Sequence, residues 1–159
     1  MSETKPTSAA MHTPGLAPHL VCAGAAAAID YYQRAFDAVE RVRLPGPDGN
    51  LMHACIEING AQVMLADERE ECGALSPRRL GGTPVTLNLR VADVDQVFER
   101  AVRAGATPVM APADMFWGDR YGVLEDPFGH RWAVMTPQRV LSEAELQSAA
   151  ADFQAAMQS

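Results

Sequence analysis

The chain runs twice through the same order of elements, and few folds accommodate that. Leu16-Ala17-Pro18-His19-Leu20-Val21-Cys22 reads as a short strand. Residues 25–38 read as a helix, with Ile29, Tyr32 and Phe36 at i, i+3 and i+7 along one face. Residues 39–44 alternate as a half-buried strand does, and 45–50 form a turn rich in Pro, Gly and Asp. Two further strands, 51–58 and 61–66, are joined by Asn59-Gly60, the dipeptide that best signals a tight hairpin. Residues 67–83 lose periodicity and gather charge, Pro and Gly, as a linker does. The order then recurs. Residues 84–91 read as a strand. Asp93 caps a helix running to Ala104, Gln96 completes a capping-box pattern, and Gly105 closes the helix. A short strand at 107–110 and a final hairpin follow. Residues 31–38 lie over 97–104 at a shift of 66, with Arg34 on Arg100 and Ala35 on Ala101. Matching order and matching residues favour a duplicated βαβββ unit, hence an α+β chain.

The last hairpin shows its reasons most openly. Residues 120–124 and 131–135 read as strands around Asp126-Pro127-Phe128-Gly129. Pro127 pre-sets φ, Asp126 can accept from the backbone ahead of it, and Gly129 suits the last turn position. The loop before it holds Phe116, Trp117, Asp119, Arg120 and Tyr121. Two readings stay open: the lip of a pocket, or a hairpin with a solvent-facing Asp–Arg pair.

Composition narrows the partners. The formal charge is −7 and the isoelectric point near 5.0, which argues against nucleic acid and anionic membrane, since both need clustered Lys and Arg. No apolar run approaches the length of a membrane span. Cys22, Cys55 and Cys72 form no C-x-x-C pair and suit a reducing compartment. Residues 1–14 read as a mobile polar tail and not a signal peptide, so a cytoplasmic protein is expected. The expected divisions are the tail 1–14, a first unit 15–66, a linker 67–83, a second unit 84–138 and a C-terminal segment 139–159. That segment carries a helix capped by Ser142 and Glu145, with a stripe of Leu146, Ala150, Phe153 and Met157 expected against the outside of the sheet or a second subunit.

The run Trp117-Gly118-Asp119-Arg120-Tyr121-Gly122, with Asp126-Pro127-Phe128-Gly129-His130-Arg131-Trp132 after it, closes the duplicated order. Over roughly residues 14–138 the chain resembles the vicinal oxygen chelate superfamily, which includes glyoxalase I, bleomycin-resistance proteins and extradiol dioxygenases. The 117–132 run is most similar to its PhnB-like branch. The resemblance implies two βαβββ modules forming a cupped, mostly antiparallel sheet. It also implies a divalent metal held by four His, Gln or Glu side chains from the first and fourth strands of each half. Those positions fall on Ala17, Met64, Thr86 and Ala133, none of which is a useful ligand for a hard divalent ion. No metal or cofactor is therefore expected.

The strand period of two puts His19 on the face of Ala17, and Asn88 and Arg90 on that of Thr86. His53 and His130 read as solvent-facing or hydrogen-bonded. Cys55 near His53 is a conceivable nucleophile pair, with a core thiol preferred. Acyl-transfer, phosphate-binding and zinc-protease motifs are absent from the sequence. Two functions compete. One is a homodimeric small-molecule binder, with Phe116, Trp117 and Tyr121 supplying stacking area and Asp119 or Arg120 pairing with ligand charge. Its site would include His19, Met64, Thr86, Asn88 and Ala133. The other is a lyase or isomerase of the glyoxalase type, dependent on a metal or on His19 as general base.

Overall fold

Two four-stranded sheets account for the whole repeat. The computed structural model describes residues 15–158, so the expected tail 1–14 lies outside the described residues. The first half is β1 (His19–Cys22), α1 (Ala25–Phe36), β2 (Val39–Pro45), β3 (Leu51–Ile58) and β4 (Ala61–Asp67). The second is β5 (Thr86–Arg90), α3 (Val94–Ala104), β6 (Thr107–Asp114), β7 (Asp119–Glu125) and β8 (Arg131–Pro137). Strand order is β1-β4-β3-β2 in one sheet and β5-β8-β7-β6 in the other. In each, the first strand runs parallel to the fourth and the remaining pairs are antiparallel.

Local chemistry starts and stops these elements. Asn59 and Gly60 both take the left-handed conformation, φ 49° and 82°, which the tight turn between β3 and β4 requires. Asp93 accepts from Gln96 N–H at the start of α3. The start of α1 has no side chain of its own to cap it. Instead Asp67, at the end of β4, reaches across and accepts from Gly24 N–H (3.0 Å), Ala25 N–H (2.7 Å) and Leu51 N–H (2.7 Å). Thr136 does the same service for α3, accepting from Val94 N–H at 2.8 Å and donating to Val91 O at 3.1 Å. Both satisfy donors that a helix start leaves without a partner.

These equivalences correct the residue-level alignment. Ala25 and Val94, the first helical residues, are 69 positions apart, as are Asp67 and Thr136. The paired residues His19↔Met64 and Asn88↔Ala133 are related by the same 69. The shift of 66 is therefore not the structural one. Helices of similar composition slide past each other in a comparison of letters, whereas caps and strand register do not.

The core lies where the two halves meet. Tyr31, Tyr32 and Phe36 of α1 interleave with Phe128 and Trp132 of the second half, with ring centres 4.8–6.5 Å apart across the join. Such aromatic pairs contribute about 0.5–1.5 kcal/mol each beyond the area they bury. At the middle sits the carboxylate of Asp126, 2% exposed. It accepts from Tyr32 Oη–H at 2.5 Å, Trp132 Nε1–H at 2.9 Å, and the N–H groups of Phe128 (2.9 Å) and His130 (3.0 Å). Nearby, His130 Nε2 lies 3.0 Å from Val21 O, so its ring carries a proton there. Between the helices, Arg100 donates to Ala35 O at 2.9 Å and pairs with Asp37 at 2.7 Å.

Three expectations change. Asp67 belongs to β4, and the linker after it is built: a 3-10 turn (Glu70–Cys72) and a short helix α2 (Pro77–Leu80) lie along it. Arg78 donates from there to Pro127 O at 2.7 Å, which ties the linker to the last hairpin. Strand β6 runs to Asp114, not Met110, because two irregularities in its pairing with β7 let it bend and continue. Helix α4 (Glu143–Met157) has its full capping box at Ser142 and Glu145, yet it buries no residue. Its Phe153 touches Phe116, ring centres 5.0 Å apart, so within the described chain the stripe does not lie on the sheet.

Replacing Asp126 with Ala leaves four buried donors without an acceptor. The expected loss is about 3 kcal/mol or more, and Tyr32→Phe, which removes one donor, costs about half that or less. Urea unfolding followed by Trp132 emission measures both, and equal effects would contradict the shared-acceptor account.

Candidate functional site

Helices cover one face of each sheet, and the period of two sends alternate side chains to the other. Leu20, Ala54, Ile56, Val63 and Leu65 of the first sheet, and Leu89, Leu124, Trp132 and Val134 of the second, point to the helices and join the core. Their neighbours therefore share the opposite, open face. On the first sheet these are His19, Met64, His53, Cys55 and Glu57. On the second they are Thr86, Asn88, Ala133, Arg131 and Tyr121.

Register places the four expected metal positions. His19 pairs with Met64, and Asn88 pairs with Ala133. Thr86 lies one step along β5, beside Arg131, and Ala17 lies just ahead of β1. The four groups on offer are two methyls, a thioether and a hydroxyl, a set that does not fit a hard divalent ion. Among the described residues, no three His, Cys, Asp or Glu side chains gather within reach of one ion. Between the chain ahead of β1, the start of β4 and β5 lies an apolar cavity of about 410 Å³, walled chiefly by packed-face side chains such as Val63, Leu87 and Trp132, with Ala17 and Asn88 beside them. That volume lies in the range of small-molecule pockets.

The aromatic loop forms a second feature, on the outer part of the second sheet. Trp117 donates from Nε1 to Asp119 at 3.1 Å and meets Tyr121 edge to face, ring centres 5.3 Å apart. Phe116 meets Trp117 at 5.1 Å. Gly118 makes the loop possible: its φ is +104°, and a Cβ there would stand 2.5 Å from Arg139 O. Gln138 and Arg139 both donate to Gly118 O, pinning the loop to the chain that follows β8. Phe116, Trp117, Asp119 and Tyr121 are thus brought together.

Arg120 is not with them. Its guanidinium turns to the helix side and binds both oxygens of Asp95 on α3, at 2.7 and 2.9 Å, with Asp114 at 3.1 Å. The paired carboxylates raise its pKa further, and Arg120 in turn holds Asp95 below the usual carboxylate range. A guanidinium so engaged is a strut between α3 and β7, which corrects the expectation that it meets ligand charge. Nor do His19 and Met64 adjoin the aromatic loop: they stand on the first sheet and the loop belongs to the second.

His19 and His53 share the open face of the first sheet, ring centres 6.3 Å apart and inclined at 60°. Partial burial first, and the neighbouring His53 second, hold His19 below its ordinary pKa of 6.5. Cys55 is buried, its thiol pushed up by that burial, and its Sγ–H points toward Ile56 O at 3.8 Å. A buried, protonated thiol is a poor nucleophile, so the core-thiol reading of Cys55 fits best. Sequence reasoning missed Asp67, Tyr32 and His53 as organising residues. Only the i, i+2 spacing of His53 and Cys55 hinted at a shared face.

The chain matches the family model described as the glyoxalase/bleomycin resistance protein/dioxygenase superfamily over residues 15–134. It is 55% identical over 139 residues to protein Mb0911c of Mycobacterium bovis, covering 86% of this chain and 91% of that one. Among solved structures it is similar to TioX from Micromonospora sp. ML1, with 27% identity, a TM-score of 0.63, and coverage of 79% and 99%. A PhnB protein from Bacillus cereus shares the fold at 18% identity, with a TM-score of 0.60 and coverage of 76% and 98%.

The lowered pKa of His19 has a signed consequence. Below 6.5 the unfolded chain binds a proton at this site that the folded chain resists, so stability falls as pH drops through that window and is complete above it. Proton NMR of the ring should give a His19 midpoint below 6.5, moving upward in His53→Gln. A midpoint unmoved by that substitution would remove the coupling.

Proposed function

Because the chain belongs to the glyoxalase/bleomycin resistance protein/dioxygenase superfamily, we propose that it binds a small organic molecule in the cup without the superfamily's metal. The observation that carries this reading is chemical. The four positions that should hold the ion are occupied by Ala17, Met64, Thr86 and Ala133, none suited to a divalent cation. One feature of the open face supports it: the Trp117–Tyr121 edge-to-face pair, which offers rigid area for stacking; the apolar cavity at Ala17 and Asn88 gives a second place for an apolar group. Asp119, although it accepts from Trp117, retains oxygen lone pairs for a donor or cation on the ligand.

In this reading the working unit is a cytoplasmic homodimer, the second copy completing the cup. Apolar side chains left exposed near the edge of the first sheet, Val39, Leu44 and Met52, are consistent with a partner. Among the described residues, no helix is long and apolar enough to cross a membrane. A second reading, a lyase or isomerase using His19 as general base, draws on one observation: the ring is kept neutral beside the cavities at the β1 edge.

Tryptophan emission separates these readings. Trp132 walls the cavity and Trp117 stands in the aromatic loop, so each reports a ligand at its own place. Titration with a panel of aromatic and cationic compounds is expected to give saturable quenching that is unchanged by EDTA, and its loss in Trp117→Phe marks binding at the loop while its persistence marks binding in the cavity. Quenching that requires added Zn or Ni, or turnover of the methylglyoxal–glutathione hemithioacetal lost in His19→Gln, would favour the enzyme instead. In solution the mass should be about twice the 17.1 kDa of the chain, and a monomer by light scattering would remove the shared cup.

A further inference from the structure

The open face of the first sheet carries a soft donor set. His19 of β1 and Cys55 of β3 both pair with Met64 of β4, and His53 lies two residues before Cys55 on the same face. Met64 thus stands between the strands that carry the two imidazoles. Their ring centres are 6.3 Å apart. An ion bound by one nitrogen of each ring at about 2.0–2.1 Å sets ring centres roughly 5–6.5 Å apart, and the observed separation falls within that span. Nε2 of His53 is buried and has no hydrogen-bond partner, an arrangement that buried ring nitrogens seldom adopt. Coordination would give that nitrogen a partner.

We propose that His19, His53 and Met64 form a site for a soft monovalent metal ion of the Cu(I) class. The donors choose the ion. Two imidazoles and a thioether suit Cu(I), whereas hard divalent ions need carboxylate or carbonyl oxygen. Glu57, two residues beyond Cys55, is committed to Arg41 at 2.9 Å. This site lies wholly in the first half and takes in Met64, one of the four positions discussed above, as a soft sulfur donor.

The test is anaerobic titration of the full chain with Cu(I) in competition with bicinchoninate, alongside Zn(II) with a chromophoric chelator. One equivalent of Cu(I) should be withdrawn from bicinchoninate, and Zn(II) should not be retained. His19→Gln and His53→Gln should each weaken Cu(I) binding at least tenfold, Met64→Leu less, and Cys72→Ser not at all. His19 is exposed, so its variant is expected to fold even if that of His53 does not, and circular dichroism checks both. Addition of Ag(I) should shift the ring protons of His19 and His53 together. Absence of uptake, uptake that survives His19→Gln, uptake abolished by Cys72→Ser, or equal retention of Zn(II) would each overturn the assignment.

Discussion

One buried carboxylate holds the two halves in register. Asp126 belongs to the last hairpin, yet its strongest side-chain partner, Tyr32, lies on the helix of the first half. A carboxylate is tolerable in a core only when its oxygens are saturated with donors, and here two N–H groups, an indole and a phenol converge on it. Burial and that carboxylate together push the Tyr32 hydroxyl well above its ordinary pKa, so it remains a donor throughout the physiological range. The hairpin's carboxylate takes one of its four donors from the helix of the other half, and the aromatic block packs around the same point. Duplication supplied two units; Asp126 makes them one core.

From that core follows the division of each sheet into a packed face and an open one. The packed faces are saturated: Asp67 and Thr136 cap the two helices from the ends of equivalent strands, and Arg120 braces α3 against β7. The open faces keep the chemistry. The first carries imidazoles, a thioether and a thiol, and the second carries amide, hydroxyl, guanidinium and aromatic groups. The two halves differ on the open side while keeping the same scaffold behind it, as expected when a rigid frame carries changeable side chains. The two tryptophans show the split. Trp132 is fixed by Asp126 within the core, whereas Trp117 is held by Asp119 in a loop that a ligand could reach.

Much of this was legible in the letters. The two βαβββ units, the Asn59-Gly60 turn, the Asp93 and Ser142 caps and the Asp126-Pro127-Phe128-Gly129 hairpin each follow from local rules acting over a few residues. The family resemblance rests on them. What escaped reading was non-local. Asp67 looks like the first charge of a linker, but it closes a helix that begins 42 residues earlier. Arg120 sits between Asp119 and Tyr121 in a pocket-like loop, yet the alternation of a strand sends it to the opposite face. The stripe on α4 has a helical period that correctly gives the helix but says nothing of what it rests on; in the structure its Phe153 meets the Phe116 ring.

The sequence by itself determined the element order, the turn chemistry and the residues at the superfamily's ligand positions, because propensity, capping and hydrophobic period act within a few residues of chain. Only the tertiary structure decided which charged groups are structural and which are free, and which histidines stand together. His19 and His53 are 34 positions apart in the chain and 6.3 Å apart in space. Strand register, not spacing, brings them to one face, and register is settled by packing the whole sheet against its helix.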